Sequence, residues 1–369
     1  MKPKNIKLYI SILIIIMLIV FVTLITLVNK EEILEDKTEI AEVTNPYLPN
    51  GFTYVEETNL NTGLTIEDTF GNQYVWIVVP QTLEVYKTSG LNITDFTDED
   101  YFSIYYDLHK YSIDYRGFSH MFSMDDDKYN NSYIDKYEKT NGFNLTGLTE
   151  KQYYELKNKM LKSIYQNGGF YIGKYETGIL DTYRTISSST QLENPVIQKN
   201  AYPYNYIECS DAQKLASNMN SGEYTSSLMF GIQWDLVLKY LETNGVKKEE
   251  LKSNSTNWGN YYDTLYNITN INSKYLILRE YDNIEENTAY GKKSSAELCL
   301  LSTGSSELFC KMGIYDLAGN VWEWTLECGD LRSGTVCRGG TFIFNQTVVN
   351  RTDAYTYSNF YTGFRVTIY

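Results

Sequence analysis

The stretch Gly313-Ile314-Tyr315-Asp316-Leu317-Ala318-Gly319-Asn320-Val321-Trp322-Glu323-Trp324 decides how this chain is read. Two tryptophans and a tyrosine bracket a Gly-Asn turn, with carboxylates at Asp316 and Glu323. A loop that closes on itself aims both carboxylates and its own carbonyls at one point. Hard oxygen ligands of that kind suit Ca²⁺, which takes about six to eight oxygens and tolerates irregular geometry. After this stretch the chain holds short strand-like runs separated by Gly-rich turns.

Upstream, the pattern predicts a helix over 150–166. Thr149 and Gln152 form a capping box, Gly168 lies just past the end, and Tyr153, Leu156, Met160, Leu161 and Ile164 make one apolar stripe. A strand follows over 169–175. A second helix is expected over 210–219 with Ser210 as N-cap, and a third from Gly231 to about Leu241. Residues 73–79 read as a strand stopped by Pro80, and 52–55 as a short one. Residues 81–148, rich in Tyr and Asp and without a clear period, read as an irregular insertion. Asp125-Asp126-Asp127 within it lacks EF-hand spacing and reads as a solvated turn. Residues 244–310 read as mostly polar loop.

The N-terminal end is of another kind. Residues 8–28 carry no charge and are rich in Ile, Leu and Val, long enough to span a hydrocarbon layer of about 30 Å. Lys2, Lys4 and Lys7 precede this run, and Glu31, Glu32 and Glu35 follow it. The positive-inside rule then predicts a cytoplasmic tip (1–7), a single transmembrane helix (8–28), an acidic stalk (29–50) and an extracellular domain (51–369) in the cell membrane. No small-residue cleavage pattern follows the apolar run, so an uncleaved anchor is expected rather than a signal peptide.

Of the 369 residues, 32 are Lys or Arg and 46 are Asp or Glu, giving a net charge of −14. Four of the basic residues and none of the acidic ones fall in 1–30, so the rest of the chain carries −18. That field repels phosphate and excludes a nucleic-acid binder built on a basic face. The two histidines, His109 and His120, exclude a three-His iron or zinc site. Hydrophobic residues make up 43 %, enough for a large core.

The turn sequence resembles the signature of the formylglycine-generating enzyme, or sulfatase-modifying factor, family. Further matches follow in order: Phe170-Tyr171-Ile172-Gly173-Lys174-Tyr175-Glu176, Pro195-Val196, Asp211-Ala212, Leu228, Trp234-Asp235, Trp258-Gly259, Arg338-Gly339-Gly340-Thr341-Phe342 and Gly363-Phe364-Arg365. The resemblance covers roughly 168–369, with 52–80 supplying N-terminal strands. One helix motif departs from the pattern, with Ser227, Met229 and Phe230 where Arg, Pro and Thr are usual. The resemblance implies an α+β fold of the C-type-lectin-like kind, low in regular secondary structure, with Ca²⁺ as structural glue. One calcium would be held by the side chains of Asp316 and Glu323 and the carbonyls of Gly319 and Val321. Arg338 and Arg365 would be buried against carboxylates, and Trp322 and Trp324 would be mainly core.

The family's oxidases turn a substrate cysteine into formylglycine through copper(I) held by two thiolates shortly after the Gly-Gly. Counted from Gly339-Gly340, those positions fall on Phe344 and Val349, so neither copper nor oxidase chemistry is expected. A second branch of the family uses a histidine-ligated iron, and this chain has no histidine in the matching region, so no iron is expected either. In an oxidising exterior the loops flanked by Cys299 and Cys310, and by Cys328 and Cys337, suggest two disulfides, with free thiols as the other possibility and Cys209 left over.

What remains is a scaffold that presents a surface. The segment between Arg-Gly-Gly and Gly-Phe-Arg contains Asn350, Asp353, Tyr355, Tyr357, Asn359 and Tyr361, a mixture suited to recognition because rigid amphipathic rings stand beside adaptable hydrogen-bonding groups. The expected function is a membrane-anchored binding or display module for a protein or glycan ligand at the cell surface. The alternatives are an enzyme of this family acting on a protein thiol with a non-standard active site, and an accessory subunit of a cell-surface complex.

Overall fold

The run Gln73–Val78 becomes the third strand of a six-stranded antiparallel sheet, and Tyr74, Val75, Trp76 and Ile77 are all fully buried. A strand covered on both faces needs a continuous apolar run rather than alternation, and this one has it. A computed structural model of the chain describes residues 46–369 apart from 117–134, 138–144, 187–188, 220–223, 281–282, 289–290, 330–334 and 354–358. Across the sheet the strands run in the order Phe52–Tyr54, Thr65–Asp68, Gln73–Val78, Gly169–Gly173, Val366–Ile368 and Ser226–Leu228. The C-terminal strand thus lies between segments nearly 200 and 140 residues upstream, and the chain from Pro46 to Tyr369 closes into one unit.

Five α-helices are described: α1 (Asp98–Tyr111), α2 (Glu150–Asn167), α3 (Cys209–Asn218), α4 (Gly231–Thr243) and α5 (Lys248–Lys252). Helix α2 forms as its sequence demands. Thr149 Oγ1 accepts from Gln152 N at 3.3 Å, Gln152 Oε1 accepts from Thr149 N at 2.9 Å, and Gly168 ends the helix at φ 72°. Its buried face carries Tyr153, Met160, Leu161 and Ile164, with Leu156 partly covered. Helix α3 starts one residue earlier than expected, and the N-cap is Glu208 rather than Ser210.

Two expected loops contain regular structure. The insertion 81–148 includes α1, whose capping box pairs Thr97 with Asp100 and whose buried face is Ile104, Asp107 and Leu108. Its signal was hidden because the capping acid is Asp, and tyrosines interrupt the apolar period. The polar stretch 244–310 includes an antiparallel sheet of Asn283–Thr288, Lys274–Glu280 and Cys299–Leu301. Its outer strand has a single apolar residue, Ile284, so composition alone reads it as loop. The run 8–28, His120 and the Asp125–127 turn lie outside the described residues. Among those described, no helix is long and apolar enough to cross a membrane.

A four-stranded sheet positions the candidate site. Its order is Arg351–Asp353, Val336–Arg338, Trp322–Trp324 and Thr362–Phe364, the last pair parallel. The register sets Arg351, Arg338, Glu323 and Gly363 in one row across it.

Candidate functional site

The turn 313–324 is a backbone knot clamped from three directions. Asp316, Gly319 and Asn320 take φ values of 56°, 76° and 58°. At Gly319 a Cβ would stand 2.3 Å from the Asn260 carbonyl oxygen, so glycine is required there. Gly319 N donates to the Gly339 carbonyl at 2.9 Å, Asn320 N to the Asn260 carbonyl at 2.8 Å, and Phe342 N to the Asn320 carbonyl at 3.0 Å. The buried Asn320 amide is fully used. Its Nδ2 donates to Glu176 Oε2 at 2.6 Å and to the Leu301 carbonyl at 3.2 Å, while its Oδ1 accepts from Asn260 Nδ2 at 2.9 Å and Leu301 N at 3.1 Å.

Around this knot the structure gathers Asp316, Glu323 and a third carboxylate, Glu176, all buried. Glu176 Oε1 accepts from Val321 N at 3.2 Å. Asp316 Oδ2 accepts from Gly304 N at 2.7 Å. Glu323 is gripped by Arg365, whose Nε lies 3.0 Å from both carboxylate oxygens and whose Nη2 lies 2.7 Å from Oε1. The guanidinium also donates to the carbonyls of Gly173 and Tyr315. Burial, then the charges of Asp316 and Glu323, push the Glu176 carboxyl well above the usual carboxylate range. Burial likewise pushes Asp316 up to about 6.

Three carboxylates therefore share one guanidinium. Lys199 also faces Asp316, but its ammonium is 3.1 Å from the exposed Glu307. Counted with all three carboxyls ionised, the cluster is two positive charges short of neutrality, and its hard oxygens would suit a divalent cation of the calcium kind. Among the described residues no three Asp, Glu, His or Cys side chains converge to hold an ion by themselves. A cation at this turn would depend on the backbone carbonyls as well.

The other arginine of the matched motifs, Arg338, joins Arg351 and Arg116 in a second cluster. Asp235, on α4, meets Arg351 Nη2 at 2.6 Å, Arg338 Nη2 at 2.9 Å and Arg116 Nη1 at 3.4 Å. Glu327 meets Arg351 Nε at 2.8 Å and Arg338 Nη1 at 3.1 Å. All five side chains are fully buried. Arg351 Nη1 donates to the Tyr115 carbonyl at 2.7 Å and Arg338 Nε to the Asn350 carbonyl at 3.1 Å. Burial alone raises the Asp235 carboxyl, and the guanidiniums of Arg351, Arg338 and Arg116 reverse this to hold it below the usual range. Burial, then the charge of Arg116, lowers the nearby His109 to about 4.

The two positions where the resemblance places copper-binding thiolates are built for packing. Val349 is fully buried. Phe344 is 39 % exposed, and its ring lies 5.6 Å from that of Trp322 at an interplanar angle of 30°. Tyr361 stands edge-on to Trp322 at 5.2 Å, and Phe360 edge-on to Tyr361 at 4.9 Å. Trp322 Nε1 donates to Gln346 Oε1 at 2.8 Å, so its polar edge is satisfied, and the buried ring backs the exposed Phe344 in this shelf of rings. Trp324 is core, with Nε1 donating to the Ile207 carbonyl at 3.0 Å.

The expected recognition strip is only partly placed on a surface. Tyr361 joins the shelf. Asn359 holds the turn beside it, its Oδ1 accepting from Tyr361 N at 3.0 Å. Asn350 is 5 % exposed and spent inside, with Nδ2 on Thr352 Oγ1 at 2.7 Å, because the neighbouring Arg351 must reach the buried acids. Asp353 lies in strand register with Val336, and Tyr355 and Tyr357 lie outside the described residues.

No disulfide joins Cys299 to Cys310 in the structure. Cys299 hydrogen-bonds Tyr266, whereas Cys310 faces Tyr315 and the Gly313 amide, so the two sulfurs serve different neighbours. Cys209 is buried, donates to the Thr325 carbonyl at 3.8 Å, and has its thiol pushed up by burial, the opposite of a reactive thiolate.

Sequence reasoning missed Glu176, Asp235, Glu327 and Arg116 as partners. Of these only Asp235 stands in a mostly apolar run, Ile232 to Leu238, and that charge among apolar neighbours was the available signal. Compared with known proteins, the chain matches the family model described as "Sulfatase-modifying factor enzyme 1-like domain" over residues 130–368. No curated protein matches it. The match takes in the buried turn, both charge clusters but for Arg116, and the aromatic shelf, and it spans well over half of the sequence: the chain belongs to the sulfatase-modifying factor enzyme 1-like family.

Proposed function

We propose that the protein is a binding and display module on this family's scaffold, anchored in the cell membrane through residues 8–28 with its C-terminal domain outside. It acts without oxidase chemistry. The observation that carries this reading is the shelf of Trp322, Phe344, Tyr361 and Phe360, with aromatic and aliphatic side chains at the two positions where thiolates would hold copper(I). Rings fixed by one another lose little entropy when a ligand lies on them, and a half-exposed Phe beside a satisfied Trp is a surface for a sugar face or an apolar peptide side chain. In this reading Asp316 and Glu323, with the carbonyls of Gly319 and Val321, hold one calcium that stiffens the turn leading into the shelf. Calcium supplies rigidity and charge balance and takes no part in chemistry.

The test is array binding of glycans and peptides by the extracellular part, repeated with Phe344→Ser. The reading predicts a ligand whose binding weakens on that substitution while thermal stability barely changes. A ligand bound equally well by Phe344→Ser would move the function away from this face.

A further inference from the structure

Glu176 lies outside the turn, at the end of the strand-like run that starts at Gly169, and the set of calcium ligands expected for the turn does not include it. Both of its oxygens are nonetheless spent on the turn, Oε2 on the Asn320 amide and Oε1 on Val321 N. These two residues follow Gly319 and precede Glu323, so one carboxylate clamps the backbone between the proposed ligands. The clamp cannot be replaced from the other side, since Asn320 Oδ1 is already committed to Asn260 and Leu301. Glu176 is fully buried, and the one guanidinium of the cluster is directed at Glu323.

We infer that Glu176 is a positioning residue for a divalent cation at this turn, fixing through Asn320 and Val321 N the stretch that offers the Gly319 and Val321 carbonyls, and adding a third carboxyl that brings the cluster to two negative charges once a cation displaces its proton. The inference rests on the calcium reading above. Without Glu176 the cluster would be one charge short, and a dication would overshoot rather than balance it. With Glu176 the cation and the cluster match, and the attraction acts across a dry interior where screening is weak. Partners that orient ligands without touching the metal typically change metal affinity by roughly 10- to 100-fold.

The experiment is calorimetric titration of the chelator-treated protein with calcium, for the natural chain, Glu176→Gln, Glu176→Asp and, as a control, Glu155→Gln on the exposed face of α2. The expected result is a roughly 10- to 100-fold weaker calcium Kd for Glu176→Gln, a smaller loss for Glu176→Asp, which keeps the charge but draws back from the turn, and no change for Glu155→Gln. A merely structural Glu176 would lower stability in chelator yet leave the calcium Kd of the folded protein alone. Wild-type binding with unchanged affinity in both Glu176 variants would overturn the inference and leave the calcium reading standing. If Glu176→Gln does not fold, Glu176→Asp carries the test alone. Absence of heat with the natural chain would overturn the calcium reading itself.

Discussion

One row of residues across the four-stranded sheet feeds two buried charge clusters of opposite character. Arg338 and Arg351 go to Asp235 and Glu327, where Arg116 joins them. Glu323, the partner of Arg338 across the strands, goes instead to Arg365, with Glu176 and Asp316 close by. In the first cluster each carboxylate is shared between arginines, and spare N–H groups reach carbonyls. It is a closed staple joining α4, the sheet and the segment after α1. In the second cluster the acids outnumber the bases, and burial pushes carboxyl groups toward protonation. A saturated cluster holds a fold together, whereas an unsaturated one has capacity left for a proton or a cation.

The largest effect should come from breaking the saturated cluster. Asp235→Ala strands up to three guanidiniums in the interior and should destabilise the protein by about 3–5 kcal/mol in urea unfolding. A loss under about 1 kcal/mol would show that the staple is not one.

Arg365→Met sharpens the comparison from the other side. In chelator it should destabilise by about 3 kcal/mol, because three carboxylates lose the buried guanidinium they share, and calcium should restore much of that loss. Arg338→Met should be about as harmful and should gain nothing from calcium. Equal responses of the two variants to calcium would erase the distinction between the clusters.

The pH dependence should also differ in sign. His109 has a folded pKa lowered to about 4, so the unfolded chain binds its proton first as pH falls. Its contribution to stability is present above about 6.5 and is lost progressively toward pH 4. Asp316 is raised to about 6, so in chelator the folded state binds the proton first, and its contribution grows as pH falls from about 6 to 4. Stability scans of His109→Gln and Asp316→Asn against the natural chain separate the two. The first variant should lose less stability than the natural chain in that window, and the second should gain less. Parallel curves for all three would contradict the assignment.

The smallest effect on stability belongs to the shelf outside both clusters. Phe344→Ser removes a ring that is already 39 % exposed and should cost about 1 kcal/mol or less. A loss near that of Asp235→Ala would make Phe344 a core residue and remove it from the binding face.

Much of this was legible in the sequence. The Gly-Asn turn and the capping box at Thr149 follow from local patterns, the burial of Arg338 and Arg365 from the family resemblance, and the structure has them. Pairings across the chain were not legible. Glu176 reaches a turn some 145 residues away, and Arg116 reaches Asp235 over 119 residues, with no local mark of either partner. Helix α1 hid behind tyrosines, and the strand Asn283–Thr288 behind a sequence polar but for Ile284. Asn350 read as a surface residue because its polarity was visible and the pull of Arg351 toward Asp235 was not.

The central proposal is that this chain, on the family's fold, holds a hard cation at the buried turn and no copper, with Phe344 and Val349 where the resemblance expects thiolates. Elemental analysis tests this most directly, on the purified protein equilibrated with calcium and copper(I) together and then freed of loosely held ions. The account predicts about one calcium per chain and no copper, whereas stoichiometric copper without calcium would contradict it.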